Sequence, residues 1–364
     1  MPFLPGLQLC EKYYQQAVRP LLDSHFPGLP HSAALIGPGS EVLGFDDPMS
    51  TDHDWGPRVL LFLHENDQAR QAAAIHQMLA NHLPHEFHGY PTNFSAPDPA
   101  DNGTQQLQAI THGPVNHRVT TQTIAGFFAG YLGLAIGQAL TPAGWLTSSE
   151  HKLRTLTAGA IYHDDLGLRQ VLAQFRYYPN DIWRYLLAAD WTRIGQEEHL
   201  TGRAGQAGDE IGAALIAARL VRSLMHLCFL MARTYAPYPK WYGTAFAQLA
   251  CATNLTPPLQ NALRAHRWPE RQAWLVQAYE LVAAQHNALG LTAPQPAQAT
   301  PFFGRPFQVI AQNGFAAALL AGISDPAVKA LATRPIIGSL EQFSDSTDLI
   351  GDLQRQPVLR QLYR

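Results

Sequence analysis

A polar segment between two apolar runs places the strongest constraint on how this chain can fold. Residues 33–36 and residues 58–63 are rich in strand-forming apolar side chains and predict two buried strands. The segment between them, residues 37–56, is rich in Gly, Ser and Asp, which are turn-forming residues. The chain must therefore turn here between two strands, and the spacing of its carboxylates marks this turn as the candidate for chemistry.

Two alternate aspartates in this segment predict a divalent cation site. Asp52 and Asp54 stand at or just before the start of the second predicted strand. Side chains two residues apart on a strand project to the same face, so both carboxylates would aim at one point while His53 looks away. Oxygen ligands suit Mg²⁺. The alternative is a surface hairpin in which these aspartates, like Asp46 and Asp47, are only turn formers.

Composition and charge narrow the class of protein. The chain has 364 residues, of which 46% are hydrophobic, enough for two globular domains. The formal net charge is -3 and the pI is about 6.6, so no overall basic field attracts DNA or an anionic membrane. We expect no DNA partner.

Cysteine usage and the N-terminus predict a cytoplasmic protein. Cys10, Cys228 and Cys251 are odd in number and widely spaced, which is typical of free thiols in a reducing compartment. The N-terminus lacks a basic region followed by a long apolar core, and no run reaches about 18 uninterrupted apolar residues. We expect neither export nor a membrane span.

Periodicity predicts an α+β half followed by a helical half. Residues 7–23 predict an amphipathic helix, a second helix follows residues 58–63, and residues 155–162 predict a strand. Helical periodicity then dominates, with long helices predicted over residues 180–198, 209–233 and 269–289. The expected domains are residues 1–165 and residues 166–364.

The turn and the aspartates together resemble a known active-site pattern. Gly39 and Ser40, eleven intervening residues, and then Asp52-His53-Asp54 are similar to the motif of the polymerase-β-like nucleotidyltransferase superfamily. The resemblance implies a mixed sheet with helices, a helical domain that closes the active-site cleft, and transfer of a nucleoside monophosphate from an NTP such as ATP.

The implied roles have a physical basis. Gly39 lets backbone N–H groups approach the phosphates, and the Ser40 hydroxyl adds a donor. Asp52 and Asp54 would hold Mg²⁺ or Mn²⁺, which neutralises charge on the transferring group. An acceptor hydroxyl would then attack the α-phosphate and pyrophosphate would leave. We expect a small-molecule acceptor ahead of RNA or protein.

Further segments resemble a bacterial branch of this superfamily known mainly as a domain of unknown function. They are residues 163–167, 177–181, 236–243 and 342–348. The resemblance therefore spans nearly the whole chain, although it does not identify a substrate.

One departure from the superfamily pattern weakens the catalytic interpretation. A third carboxylate often comes from a later strand, yet the best candidate, residues 117–124, contains no Asp or Glu. Thr120 or Thr121 is a candidate for its place, and Glu86 is the upstream alternative. The alternatives are a non-catalytic nucleotide-binding or regulatory protein, or an interaction module whose Asp-rich turn is structural.

Basic residues of the helical half are candidate phosphate ligands. Arg219, Arg222, His226 and Arg233 recur at helical spacing and predict one basic stripe, which would either meet the triphosphate or be a solvated face of snorkelling side chains. Lys240 lies among aromatic residues and could contact the nucleotide. Ordinary packing between domains is the alternative for Lys240.

Four carboxylates of the helical half are candidates for the acceptor's base. Glu197, Glu198, Asp209 and Glu210 flank a glycine-rich turn, although carboxylates at helix ends are also common because they complement the helix dipole. The sixteen histidines include no His-x-x-x-His or Glu-x-x-His cluster paired with nearby cysteines, so the sequence predicts no zinc site.

Overall fold

Helices account for most of the regular backbone in residues 3–364, the part of the chain that the computed structural model describes. The strands are β1 (His31–Leu35), β2 (Arg58–Leu63), β3 (Glu86–Phe87), β4 (Tyr90–Pro91), β5 (Arg118–Gln122), β6 (Ala160–Asp164), β7 (Thr300–Pro301) and β8 (Gln308–Val309). The helices of the first half are α1 (Gly6–Tyr13), α2 (Arg19–His25), α3 (Glu65–His82), α4 (Ile124–Leu132), α5 (Pro142–Thr147), α6 (Glu150–Ala158) and α7 (Leu168–Ala173).

The second half is helical apart from the short β7–β8 pair. Its longer helices are α8 (Asn180–Gln206), α9 (Glu210–Met231), α10 (Pro239–Phe246), α11 (Ala252–Arg264) and α12 (Trp268–Ala288). Its shorter helices are α13 (Phe315–Ala321), α14 (Pro326–Ala332), α15 (Leu340–Phe343), α16 (Thr347–Gly351) and α17 (Gln356–Leu359). The predicted fold class, α+β followed by a helical region, is confirmed.

A four-stranded mixed sheet is the centre of the first half. Its order is β5-β2-β1-β6, with β1 antiparallel to both neighbours and β2 parallel to β5. β1 therefore ends at the same edge at which β2, β5 and β6 begin. We call this edge, where Leu35 pairs with Ala160 and Arg58 pairs with Arg118, the loop edge.

The core of this half lies between one face of the sheet and two helical segments. The predicted N-terminal helix is confirmed as α1, a π-helical turn over Tyr14–Val18, and α2. Buried side chains of this segment and of α3, such as Val18 and Leu79, pack with the buried Val59 and Leu61 of β2. Burial of such apolar side chains is the main driving force for folding, at about 1.5–3 kcal/mol each.

The strand predicted over residues 155–162 is only half right. Residues up to Ala158 belong to α6, and the strand β6 begins at Ala160. Thr155 and Thr157 suggested a strand, but their hydroxyls donate to the carbonyls of Lys152 and Leu153, which satisfies these groups inside a helix. Gly159 separates the two elements, and a Cβ there would collide with the Leu35 carbonyl.

The chain divides into two compact units. Among the described residues, the first contains residues 3–138 and 152–176, and the second contains residues 139–151 and 177–364. The boundary predicted at residue 165 lies inside the first unit, because β6 completes the sheet and α7 follows it directly.

Helices α8 and α9 are the centre of the second unit, and α12 and α13 pack on α8. By length and composition alone α9 could cross a membrane, yet 61% of its apolar window is buried inside the protein. Its hydrophobicity is therefore accounted for by helix packing. All three cysteines are free, as predicted.

Candidate functional site

A buried ion pair anchors the loop that follows β1. Arg58, the first residue of β2, donates from Nε to Glu41 Oε1 at 2.8 Å and from Nη2 to the Pro38 carbonyl at 2.6 Å. The Glu41 side chain is only 3% exposed. A buried carboxylate requires such a partner, so this pair fixes the backbone that precedes Ser40. Sequence reasoning missed both residues, since neither belongs to the Gly-Ser or Asp-x-Asp motif.

The predicted Gly-Ser turn lies at the loop edge and packs against the Arg58–Glu41 ion pair. Gly39 adopts φ +140°, and a Cβ there would collide with the Arg58 guanidinium and the Glu41 carboxylate. Only glycine fits this position without strain. Ser40 is half-buried, and its carbonyl accepts from the N–H groups of Leu43 and Phe45 at 3.1 and 3.0 Å.

Asp46 and Asp47 are structural turn residues, as the alternative interpretation of this segment predicts. Asp46 Oδ2 accepts from the Gly6 N–H at 2.6 Å and from the Trp55 indole N–H at 3.0 Å. Asp47 caps a short 3₁₀ helix, Pro48–Asp52, in a reciprocal arrangement with Ser50. Such caps stabilise the start of a helical turn.

The strand geometry predicted for Asp52 and Asp54 is wrong. Asp52 ends the 3₁₀ helix, Asp54 has the left-handed backbone φ of 52°, and β2 begins only at Arg58. Extended pairing cannot start earlier because Gly56 has φ +141° and Pro57 has no N–H to donate. The alternation of strand side chains therefore does not bring the two carboxylates together.

Both carboxylates nevertheless face solvent beside the loop edge. The Asp52 side chain is 60% exposed and its Oδ1 lies 2.7 Å from Nδ1 of His53. The Asp54 side chain is 46% exposed, and the Asp54 N–H donates to the Gln105 carbonyl at 2.8 Å.

A basic residue on β5 contacts the second aspartate. Arg118 pairs with Arg58 in the parallel register of β5 and β2, and its Nη1 donates to Asp54 Oδ1 at 2.5 Å. Its guanidinium also lies 5.5 Å from the centre of the Phe94 ring. The strand on which a third carboxylate was sought thus supplies a cation. Sequence reasoning missed it because the search was for Asp or Glu.

Side chains of α4 and α6 reach the same edge. The Gly37 N–H donates to the Thr155 carbonyl at 3.2 Å, and the Tyr131 and Thr155 hydroxyls are 2.6 Å apart. The Lys152 ammonium lies 5.5 Å from the centre of the Tyr131 ring, and burial lowers the pKa of Lys152. The loop edge therefore combines a glycine-rich turn with three cationic side chains, those of Arg58, Arg118 and Lys152.

The alternative third carboxylates and hydroxyls do not join this arrangement. Glu86 is exposed on β3, which pairs with β4 in a separate two-stranded sheet. Thr120 is exposed in the middle of β5, and the Thr121 carbonyl accepts from Gln68 of α3. Among residues 3–364, none of these three side chains hydrogen-bonds to the Asp52 or Asp54 carboxylate.

The predicted arginines of α9 lie in the second unit, where acidic side chains bind them. Arg219, whose side chain is 55% exposed, makes a two-point ion pair with Glu197. Arg222 contacts Asp345 at 2.5 Å and donates to the Glu341 carbonyl at 3.4 Å. Their role as phosphate ligands stays a prediction.

Lys240 also belongs to the second unit. It is exposed near the start of α10, with its ammonium 4.9 Å from the centre of the Trp241 ring. A cation over an indole contributes about 0.5–1 kcal/mol at an exposed position. Its proposed contact with a nucleotide is likewise a prediction.

The prediction that His226 belongs to a basic stripe is wrong, because His226 is buried between two carboxylates. Its Nδ1 lies 2.6 Å from Asp190 Oδ2 and its Nε2 lies 2.8 Å from Glu150 Oε2. Burial alone would lower the pKa of His226, but Asp190 and Glu150 together hold it well above 6.5. Sequence spacing gives no signal for this cluster, since the three residues come from α6, α8 and α9.

The four candidate bases of the helical half all have structural partners. Glu197 pairs with Arg219, and Asp209 accepts from the Gly212 N–H as the cap of α9. Glu210 contacts Arg271 at 3.2 Å.

Glu198 is buried and accepts from the Ile310 and Ala311 N–H groups at 2.8 and 3.3 Å. Burial raises the pKa of Glu198 to about 7. The protonation of Glu198 therefore changes near neutral pH.

Comparison with known proteins gives a partial match. The family described as a domain of unknown function, DUF4037, matches residues 145–242, a segment that includes Glu150, His163, Asp190 and His226. No curated protein matches the sequence.

A crystal structure of a nucleotidyltransferase-like protein from Exiguobacterium sibiricum 255-15 is similar at 9% identity and a TM-score of 0.31, covering 76% of this chain and 77% of that chain. A similarity of this size carries no argument about function, which depends on the site itself.

Proposed function

We propose that the loop edge of the first unit binds a magnesium-nucleoside triphosphate and that the protein transfers the nucleoside monophosphate to a hydroxyl acceptor. One observation carries the proposal: the Gly39–Ser40 turn, the exposed Asp54 carboxylate and the Arg118 guanidinium lie together where β1 ends and β2 and β5 begin. Main-chain N–H groups, a cation and a carboxylate are the groups that phosphate and its metal require.

Each group has a role in this proposal. The turn at Gly39 and Ser40 would approach the phosphates through its main-chain N–H groups, while Arg58 and Glu41 fill the space that a Gly39 Cβ would need. Arg118 is placed to bind a phosphate oxygen with its fork of N–H donors, as guanidinium groups commonly do. Arg58 keeps the turn in position through Glu41 and the Pro38 carbonyl.

The donor set fits a hard cation. Asp52 and Asp54 are exposed carboxylates with 60% and 46% of their side chains accessible, and oxygen ligands of this kind hold Mg²⁺ together with substrate phosphates and water. When bound, the ion would neutralise charge on the transferring phosphoryl group.

The Asp54–Arg118 ion pair favours a second candidate function. Arg118 already neutralises the carboxylate that the metal needs, and β5 carries no third carboxylate. A nucleotide-binding or regulatory protein without transferase activity would show these features on the same sheet.

Titration of each NTP with and without Mg²⁺ separates the candidates. We compare the wild type with Asp52→Asn/Asp54→Asn, and use Asp23→Asn/Asp101→Asn as a control with the same change in charge on other exposed sites. The transferase proposal expects metal-dependent binding that is lost only in the first double variant. If the wild type binds no nucleotide, both candidate functions are wrong.

Pyrophosphate release then distinguishes a transferase from a binding protein. The acceptor panel must include small hydroxylated compounds, RNA and protein, with a small molecule the favoured acceptor. Release that depends on one acceptor class supports the transferase. Nucleotide binding without release across the panel supports the second candidate.

A further inference from the structure

The edge of the sheet opposite the loop edge carries three metal-ligating side chains in contact range. His31 is the first residue of β1, while His163 and Asp165 lie at and just after the end of β6. One ligand atom from each of the three lies within 4.8 Å of the others. β1 separates this group from the loop edge, so it is a different site from the proposed nucleotide site.

The backbone holds this group in place. The Asp165 N–H donates to the His31 carbonyl at 3.1 Å, and the His31 N–H lies 3.4 Å from Asp165 Oδ2. His163 Nε2 lies 2.8 Å from the same carboxylate oxygen. The imidazole rings of His31 and His163 are 4.7 Å apart between centres.

Hydrogen bonding fixes the His31 imidazole in a form that can bind a metal. Its Nδ1 lies 3.0 Å from the Leu29 carbonyl, an acceptor that requires this nitrogen to carry the proton. The lone pair is then on Nε2, which accepts a hydrogen bond from the Tyr14 hydroxyl at 2.8 Å, so a cation bound there would displace that hydroxyl. A metal-binding histidine usually donates its other N–H to such a carbonyl.

The helix that covers the group is irregular at the same point. Tyr14 begins the π-helical turn Tyr14–Val18, and π turns occur frequently at functional sites. The turn directs the buried Tyr14 hydroxyl at the His31 imidazole.

From this geometry we propose that His31, His163 and Asp165 bind a late first-row divalent cation, with Zn²⁺ as the best-suited ion. Two imidazoles and one carboxylate favour Zn²⁺ over Mg²⁺ or Ca²⁺, which prefer oxygen ligands. Each ligand atom would lie about 2.0–2.2 Å from the ion, so the three side chains would close around it and the Tyr14 hydroxyl would leave His31 Nε2. The ion would tie the start of β1 to the end of β6.

Sequence reasoning predicts no zinc site because it looks for ligands close together in the chain. His31 and His163 are far apart in sequence, and antiparallel pairing of β1 with β6 brings them together. The spacing of residues that are close in sequence does not predict this strand pairing.

The test is calorimetric titration of Zn²⁺ into tag-free, chelator-treated protein. Cys251→Ser is the background, because Cys251 is a half-buried thiol near Cys228 and thiols also bind zinc. The variants His163→Ala and Asp165→Asn are compared in this background with His25→Ala, a control from the exposed His25–His82 ring pair. Circular dichroism verifies that each variant is folded.

The proposal expects one equivalent of Zn²⁺ in the background protein and in His25→Ala. Binding should weaken at least tenfold in His163→Ala and in Asp165→Asn, and Zn²⁺ should raise the melting temperature only where it binds. Absence of one-equivalent binding in the background protein, or unchanged affinity in both site variants, would overturn the proposal.

Discussion

Arg118 donates to Asp54 across the loop edge at 2.5 Å, and this ion pair joins the first residue of β5 to the turn before β2. It holds a carboxylate and a guanidinium at the place where the sequence predicts two carboxylates and a metal. In the proposed nucleotide complex both partners change roles, since Arg118 binds phosphate and Asp54 binds the cation.

Removal of the guanidinium should weaken nucleotide binding. Arg118→Met is expected to raise the Kd for the magnesium-NTP at least tenfold, or about 1.4 kcal/mol, because a charge-assisted phosphate contact is lost. Fluorescence or calorimetric titration measures the change. Arg70→Met removes a guanidinium that is paired with Asp67 on α3 and should leave the Kd unchanged. Equal effects of the two variants would argue against the site.

The glycine of the turn should not tolerate a side chain. Gly39→Ala is expected to lower the free energy of unfolding by about 2–3 kcal/mol and to reduce nucleotide affinity, since its Cβ meets Arg58 and Glu41 at φ +140°. Urea unfolding provides the measurement. Gly44→Ala, at φ +69° with nothing within 4 Å, should cost about 1 kcal/mol. Similar costs at both glycines would mean that the turn is not packed as described.

The buried histidine of the second unit should be essential for stability. His226→Ala leaves the buried carboxylates Glu150 and Asp190 without the imidazole between them, which is expected to cost about 3–5 kcal/mol. Chemical denaturation of the variant and of an exposed control, His266→Ala, gives the comparison. If His226→Ala lowers the free energy of unfolding by less than about 1 kcal/mol, His226 is not the group that stabilises the two buried carboxylates.

The raised pKa of Glu198 should make the free energy of unfolding depend on pH. Burial raises its pKa from 4.5 to about 7 in the folded protein, so the folded state binds more protons between these values. The contribution of Glu198 to the free energy of unfolding is therefore fully present below about pH 4.5. It is lost as the pH rises through about 7, and the total loss is up to roughly 3 kcal/mol. Glu198→Gln should remove this dependence.

Unfolding free energies of the wild type and Glu198→Gln across this pH range make the comparison. The exposed control Glu270→Gln should keep the wild-type pH profile. A constant difference between wild type and Glu198→Gln at all pH values would be inconsistent with a raised pKa.

Local sequence patterns predict the elements of this fold well. Apolar runs mark β1 and β2, and the helix predicted after residues 58–63 is α3. The β6 region was harder, because threonine favours strands by its branching but is satisfied in α6 by hydrogen bonds to preceding carbonyls. Propensity alone does not include those bonds.

The candidate site is only partly visible in the sequence. The Gly39 turn follows from composition, whereas the Arg118–Asp54 pair depends on the parallel pairing of β2 with β5. Asp52 also ends the 3₁₀ helix that Asp47 caps, whereas the sequence predicts it at or just before the start of the second strand. Long-range pairing and a local cap therefore decide the details that spacing leaves open.

A structure with a non-hydrolysable NTP and Mn²⁺ tests the central claim most directly. The account predicts the triphosphate at the Gly39–Ser40 turn, a phosphate oxygen at Arg118, and Mn²⁺ beside the carboxylates of Asp52 and Asp54. A nucleotide bound elsewhere, with the Asp54–Arg118 pair intact and the loop edge empty, would contradict it.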